Sequence, residues 1–128
     1  MSQYLTTIGL EFHAELKTKT KIFCSCPTDF IEEANANVCP ICLGLPGVLP
    51  VLNRRVVELG AKAGLALNCH INRFNKFDRK NYFYPDLPKG YQVTQFSQPI
   101  CSEGWLLIKD AAGQDKKVRI NRIHLEED

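Results

Sequence analysis

The sequence predicts an α+β fold, in which mixed or antiparallel strands pack against one helix and a metal ion holds a loop. Three observations indicate this class: several stretches alternate apolar and polar residues, one stretch repeats apolar residues with helical spacing, and two pairs of cysteines lie close together. The 128 residues suffice for one domain, and the 45% hydrophobic and 23% charged residues are ordinary for a globular protein.

Charge and hydropathy exclude some functional classes. The net charge of +2 is too small to indicate nucleic-acid binding by itself, although cations cluster locally at 17–21, 76–89 and 116–122. No stretch approaches the ~20 apolar residues of a membrane helix, and no signal peptide is visible. We therefore expect a cytoplasmic protein without a membrane partner, whose six cysteines stay reduced.

The first predicted strand covers residues 7–16, where apolar and polar residues alternate. Its polar face carries Glu11, His13 and Glu15, which point the same way in an extended chain. Carboxylates are ligands that Mg²⁺ prefers, so this face is a candidate metal site. A solvated strand face explains the same pattern, and the spacing alone does not decide between the two.

The cysteines favour a structural zinc site. A Cys-x-Cys pair is followed after twelve residues by a Cys-x-x-Cys pair, and either spacing lets both sulfurs point at one ion. Two disulfides or four unligated thiols are the alternatives, and the compartment disfavours the disulfides. Cys69 and Cys101 stand alone and are expected to be ordinary buried thiols. The predicted zinc ligands are Cys24, Cys26, Cys39 and Cys42.

A helix is predicted from Arg54 to about Leu67, with Asn53 as its N-cap. Its apolar stripe contains small residues, which allow close packing on a sheet. The stripe consists of Val56, Leu59, Gly60, Ala63 and Leu67. Beyond the helix, strands are predicted at 91–96, 105–109 and 118–125, with a turn at 110–113.

The stretch 76–95 interleaves five aromatic residues with four cations and is interrupted by proline and glycine. It has too many charges for a core strand and too many rings for a solvent loop. Rings among cations suit a surface that holds a phosphate and stacks on a flat group. A rigid surface loop whose rings pack on the body of the domain explains the same residues.

The chain stops at Glu126, Glu127 and Asp128, directly after an alternating segment. Terminal acidic residues are ordinarily a solvated end. Because no cap or turn follows the strand, we expect a chain that is cut in mid-domain.

Four segments resemble, in order, the N-terminal part of the GatB family of aspartyl/glutamyl-tRNA amidotransferases. They are IGLEFHAELKTKTKIFCSC, NVCPICLGLPGVLPVLN, KFDRKNYFYPDLPKGYQVTQ and RIHLEED. The resemblance covers nearly the whole chain, and the third segment is highly specific. It implies that residues 1–128 are the N-terminal part of a catalytic (cradle) domain with a glutamine-synthetase-like core, truncated at its C-terminal end.

The resemblance also implies a reaction. The family phosphorylates the side-chain carboxylate of misacylated Glu-tRNA(Gln), Asp-tRNA(Asn) or both, with ATP and Mg²⁺. Ammonia from the separate amidase subunit then displaces the phosphate, and a third, small subunit completes a heterotrimer. The chain would thus belong to a glutamine-hydrolysing carbon–nitrogen ligase and be inactive alone. A non-enzymatic, zinc-stabilised RNA-binding module is the alternative.

Site residues follow from the resemblance position by position. Because Glu126 and Glu127 point to opposite faces of a strand, with His124 on the face of Glu126, strand parity leaves the choice between these two acids open. The implied magnesium ligands are Glu11, His13, Glu126 and Glu127, the implied catalytic cations are Arg79, Lys80 and Lys89, and Tyr82 and Tyr84 are implied to line the nucleotide pocket.

Overall fold

The computed structural model describes residues 3–85 and 87–127, and these form one helix and five strands. Strands β1, β4 and β5 make a three-stranded sheet, and β2 pairs with β3 in a separate hairpin. Every pairing is antiparallel, so the predicted α+β class is confirmed in its antiparallel form. The elements are α1 (Arg54–Ala66), β1 (His70–Ile71), β2 (Asp78–Asn81), β3 (Tyr91–Thr94), β4 (Cys101–Lys109) and β5 (Asp115–Ile123).

Helix α1 begins and ends close to where the sequence predicts. The Asn53 side chain accepts a hydrogen bond from the Arg55 N–H at 2.9 Å, which confirms the predicted N-cap. The helix ends at Ala66, one residue before the predicted boundary. Asn53 also donates through Nδ2 to Thr20 O at 3.1 Å, so the same residue attaches the cysteine-containing segment to the helix.

Small residues let α1 approach the sheet closely, as predicted. A Cβ built at Gly64 would lie 2.4 Å from Cys101 Sγ, and one at Gly60 would lie 2.9 Å from Leu125 Cδ2. Gly64 belongs to the buried stripe although the prediction omitted it. Cys69 and Cys101 are buried thiols, as expected, and burial raises the pKa of Cys101 to about 11.

The β4–β5 hairpin confirms the last two predicted strands and the turn between them. Strand β4 begins four residues before the prediction, whereas β5 begins three residues before it and ends two residues before it. The two strands stay in register from Cys101↔Ile123 to Lys109↔Asp115. At the turn, the Gly113 N–H donates to Asp110 O at 3.0 Å and Gly113 has a φ of 76°. Glycine suits this left-handed conformation, which explains why the turn falls there.

The predicted strand over residues 7–16 is wrong. These residues form no strand, and Ile8, Leu10 and Phe12 are 78%, 76% and 84% exposed. Alternation of apolar and polar residues gives a segment one apolar and one polar face. A strand also needs a neighbouring strand with which its backbone forms hydrogen bonds. None of the strands that the structure describes provides that neighbour.

Strand β2 is a second correction. The charged stretch 76–95 was not expected to contain a strand before 91, yet Asp78–Asn81 pairs with Tyr91–Thr94. Its charges are tolerated because three of its four residues are exposed.

Within the described part of the chain, no helix is long and apolar enough to cross a membrane.

Candidate functional site

Extended segments from different parts of the chain line an open cleft of about 920 Å³. The cleft is bounded by Glu11 and His13 near the N-terminus, by Lys80, Tyr82 and Tyr84 in and after β2, by Gln92, Thr94, Gln95 and Phe96 in and after β3, and by Arg122, His124 and Glu126 in and after β5. The structure thus brings six of the predicted site residues to one surface: Glu11, His13, Lys80, Tyr82, Tyr84 and Glu126.

The cleft follows from a period of two. Side chains alternate between the two faces of an extended segment, so every second residue can point the same way. In and after β5, Arg122, His124 and Glu126 line the cleft, whereas Leu125 is buried in the core. Segment 124–127 adds to the edge of β3 through a bridge between Glu126 and Thr94.

Glu126 stands at the centre of a small polar cluster. His13 Nε2 lies 3.1 Å from Glu126 Oε1, and His124 Nε2 lies 3.3 Å from Glu126 Oε2. Two ligands of one Mg²⁺ at ~2.1 Å and at right angles lie ~3.0 Å apart, so His13 and Glu126 have the spacing of neighbouring ligands. Glu11 lines the same cleft, and a Mg²⁺ site formed by Glu11, His13 and Glu126 stays a prediction.

Glu127 and Lys89 do not line the cleft and pair with each other. Lys89 Nζ is 2.5 Å from Glu127 Oε1, and their side chains are only 8% and 16% exposed. The Val93 N–H also donates to Glu127 Oε1, at 2.6 Å. Strand parity correctly separates the two acids: Glu126 faces the cleft, and Glu127 attaches the last described residues to β3.

The predicted basic pair is divided between two faces of the β2–β3 hairpin. Lys80 lines the cleft, with Nζ 5.6 Å from the centre of the Tyr82 ring. Arg79 does not line it; its Cζ lies 4.3 Å from the centre of the Tyr91 ring, to which Lys89 Nζ is also close, at 4.9 Å. Arg79 and Lys89 therefore share a second cluster around Tyr91.

The predicted zinc ligands converge as expected. Sulfur–sulfur distances to Cys42 are 3.2 Å from Cys24 and 3.7 Å from both Cys26 and Cys39. Sulfurs bound at ~2.3 Å to a tetrahedral Zn²⁺ lie ~3.8 Å apart, so the four cysteines could hold a metal ion such as zinc. Among the residues that the structure describes, this is the only set of three or more Cys, His, Asp or Glu with ligand atoms within 4.8 Å of one another.

The cysteines of the cluster differ in how readily they ionise. Burial raises the pKa of Cys24 to about 12, so without a metal ion this thiol stays protonated at neutral pH. The Cys42 N–H lowers the pKa of Cys39 to about 7. Lys21 Nζ lies 3.8 Å from Cys42 Sγ and donates to Asn37 O at 2.7 Å, so one cation already faces the cluster.

Sequence reasoning assigned no role in the site to Gln92, Thr94, Gln95 or Arg122. Gln95 is 1% exposed and accepts from the backbone N–H groups of Ile100 and Leu125 at 2.9 and 3.1 Å. These hydrogen bonds fix the segment that carries Glu126, and no local sequence pattern predicts this role. The sequence could have identified Arg122, because alternation along an extended segment places its side chain on the same face as His124 and Glu126.

Comparisons with known proteins show the family to which the chain belongs. A family model described as the GatB/GatE catalytic domain matches residues 6–128. The aspartyl/glutamyl-tRNA(Asn/Gln) amidotransferase B-subunit of Clostridium beijerinckii is 67% identical over 123 residues, which are 96% of this chain and 26% of that protein. The protein of the same name from Brevibacillus brevis is 61% identical over 128 residues, 100% of this chain and 27% of that protein. The chain thus spans about a quarter of the length of the curated relatives it matches.

Proposed function

Because this chain belongs to the GatB/GatE catalytic-domain family, we propose that it forms part of the catalytic (cradle) domain of the B-subunit of an aspartyl/glutamyl-tRNA amidotransferase. The proposed activity is ATP-dependent conversion of Glu-tRNA(Gln), Asp-tRNA(Asn) or both to the amidated aminoacyl-tRNA in protein biosynthesis. The observation that supports it best is the single cleft in which Glu11, His13 and Glu126 lie beside Lys80.

The residues of the cleft suit phosphoryl transfer. Glu11, His13 and Glu126 would hold Mg²⁺, which neutralises charge on the triphosphate when bound. Lys80 would stabilise the charge that develops on the transferred phosphoryl group, because a cation fixed beforehand needs no reorganisation during the reaction. Tyr82 and Tyr84, whose ring centres are 5.7 Å apart, would border the nucleotide. The proposed glutamine-synthetase-like architecture of the core rests on the family resemblance.

The proposed assembly supplies what this chain does not carry. Ammonia would come from the amidase subunit, and the third, small subunit would complete the heterotrimer that receives the misacylated tRNA. In the same proposal, the cysteine cluster binds Zn²⁺ as a structural ion, since four thiolates leave no open position for substrate.

Lys80→Ala in the complete amidotransferase tests this function. We expect ATP-dependent amidation to fall by about 100-fold or more, while glutamine hydrolysis by the amidase subunit survives at least in part. Lys62→Ala, an exposed position on α1, is the matched control and should leave both activities unchanged.

Undiminished formation of Gln-tRNA or Asn-tRNA by the Lys80 variant would contradict the proposal. If the protein also bound RNA equally well with and without Mg²⁺ and ATP, the non-enzymatic RNA-binding module would be the better description.

A further inference from the structure

The cations of the cleft differ from those that the sequence suggests. Among the described residues that line it, Lys80 and Arg122 are the only lysine or arginine. Arg79, the expected partner of Lys80, lies against Tyr91, away from the cleft. A triphosphate carries several negative charges, so one Mg²⁺ ion and one lysine, beside Glu11 and Glu126, leave part of that charge uncompensated.

Arg122 is held in place by the backbone rather than by an acid. Its Nη1 donates to Phe96 O at 3.0 Å, and its Cζ lies 5.1 Å from the centre of the Phe96 ring. Phe96 is fixed in turn, because Asp78 Oδ2 accepts from its N–H at 3.0 Å and from the Ser97 N–H at 3.2 Å. These bonds lower the pKa of Asp78, so it stays ionised at neutral pH.

The guanidinium keeps donors available for a ligand. Arginine has five N–H donors, and in the described part of the chain no carboxylate pairs with Arg122. Its planar fork can bind two phosphate oxygens at once, which a lysine ammonium cannot do. Arg122 also follows the same alternation as His124 and Glu126, so it faces the side on which the proposed metal ligands lie.

We infer that Arg122, and not Arg79, is the second cation that binds the phosphates of a nucleoside triphosphate in this cleft, alongside Lys80. Arg79 instead supports the hairpin through the Tyr91 ring. This inference rests on the function proposed above and assigns its phosphate contacts to particular residues.

The test compares matched variants in the complete amidotransferase. We would measure the Kd for a non-hydrolysable ATP analogue with Mg²⁺ by calorimetry, the Kd for misacylated tRNA, and Tm. Arg122→Gln should raise the Kd for the analogue by about 10- to 100-fold and lower Tm by less than Arg79→Gln does, because the Phe96 ring that Arg122 contacts is exposed. Arg79→Gln should leave that Kd within about 3-fold and lower Tm by a few degrees. Arg54→Gln, on the exposed face of α1 where Arg54 pairs with Glu58, should leave both Kd values unchanged and alter Tm only slightly.

Three outcomes would overturn the inference while leaving the proposed function standing. In the first, Lys80→Met weakens binding of the analogue and Arg122→Gln does not. In the second, Arg122→Gln weakens binding of tRNA and not of the analogue. In the third, Arg122→Gln lowers Tm as much as Arg79→Gln does. If Arg122→Gln does not fold, Arg122→Lys should fold and bind the analogue with a Kd between those of the wild type and Lys80→Met. A Kd of Arg122→Lys equal to that of the wild type would also overturn the inference. If neither Lys80→Met nor Arg122→Gln changes the Kd for the analogue, the proposed nucleotide cleft itself is wrong.

Discussion

Replacing Lys89 with methionine should destabilise the protein, because it leaves Glu127 buried without its partner. The two side chains are 8% and 16% exposed and lie 2.5 Å apart. Removing one member of a buried ion pair costs ~3–5 kcal/mol. Glu127 keeps some exposure and its bond from the Val93 N–H, which offsets part of that cost. We therefore expect a loss of about 2–4 kcal/mol.

The double variant Lys89→Met/Glu127→Gln provides the decisive comparison. Glutamine still accepts from the Val93 N–H, and no buried charge remains, so the loss should shrink to about 1–2 kcal/mol. The two substitutions should therefore be clearly non-additive. Thermal and urea unfolding of the full-length protein would measure the differences. Because the pair attaches residues 124–127 to β3, the variants should also weaken the metal binding proposed at Glu126, which Mn²⁺ as a paramagnetic substitute for Mg²⁺ would report.

Lys109→Met is the matched control. Lys109 pairs with Asp115 at the exposed end of the β4–β5 hairpin, so its loss should cost less than about 1 kcal/mol. If Lys89→Met were as mild as this control yet weakened nucleotide binding, Lys89 would act on the phosphates, and its assignment to the β3 attachment would be refuted.

Two further predictions concern the scaffold. Removing the metal with a chelator should unfold the 24–42 loop and expose it to proteases, because structural zinc binding is coupled to folding; native mass spectrometry that finds no metal in a reduced, chelator-free preparation would contradict this. Gly64→Ala should destabilise by about 1–3 kcal/mol in urea unfolding although alanine is the better helix former, because the new Cβ would lie 2.4 Å from Cys101 Sγ. Gly9→Ala, where nothing lies within 4 Å, is its control, and equal stability of the two variants would show that α1 does not pack as described.

Much of the candidate site could be predicted because its signals are local. The cysteine spacing indicates a shared ion without reference to the rest of the chain, and the four sulfurs do converge. Parity along residues 122–127 separates Glu126 from Glu127, since an extended backbone alternates its side chains. Gln95 was beyond such reasoning, because a buried amide that joins Ile100 to Leu125 has no local pattern.

By itself the sequence determined the elements whose causes lie within a few residues: the Asn53 cap and the helix after it, the turn at Gly113, and the metal-type spacing of the cysteines. Only the tertiary structure decided which face of each extended segment meets which neighbour. It left residues 7–16 without a strand partner. It placed Arg79 against Tyr91, on the face of the β2–β3 hairpin that does not line the cleft, and it brought Arg122 into the cleft. The physical reason is that alternation shows that two faces differ, whereas strand pairing and burial depend on residues far away in the chain.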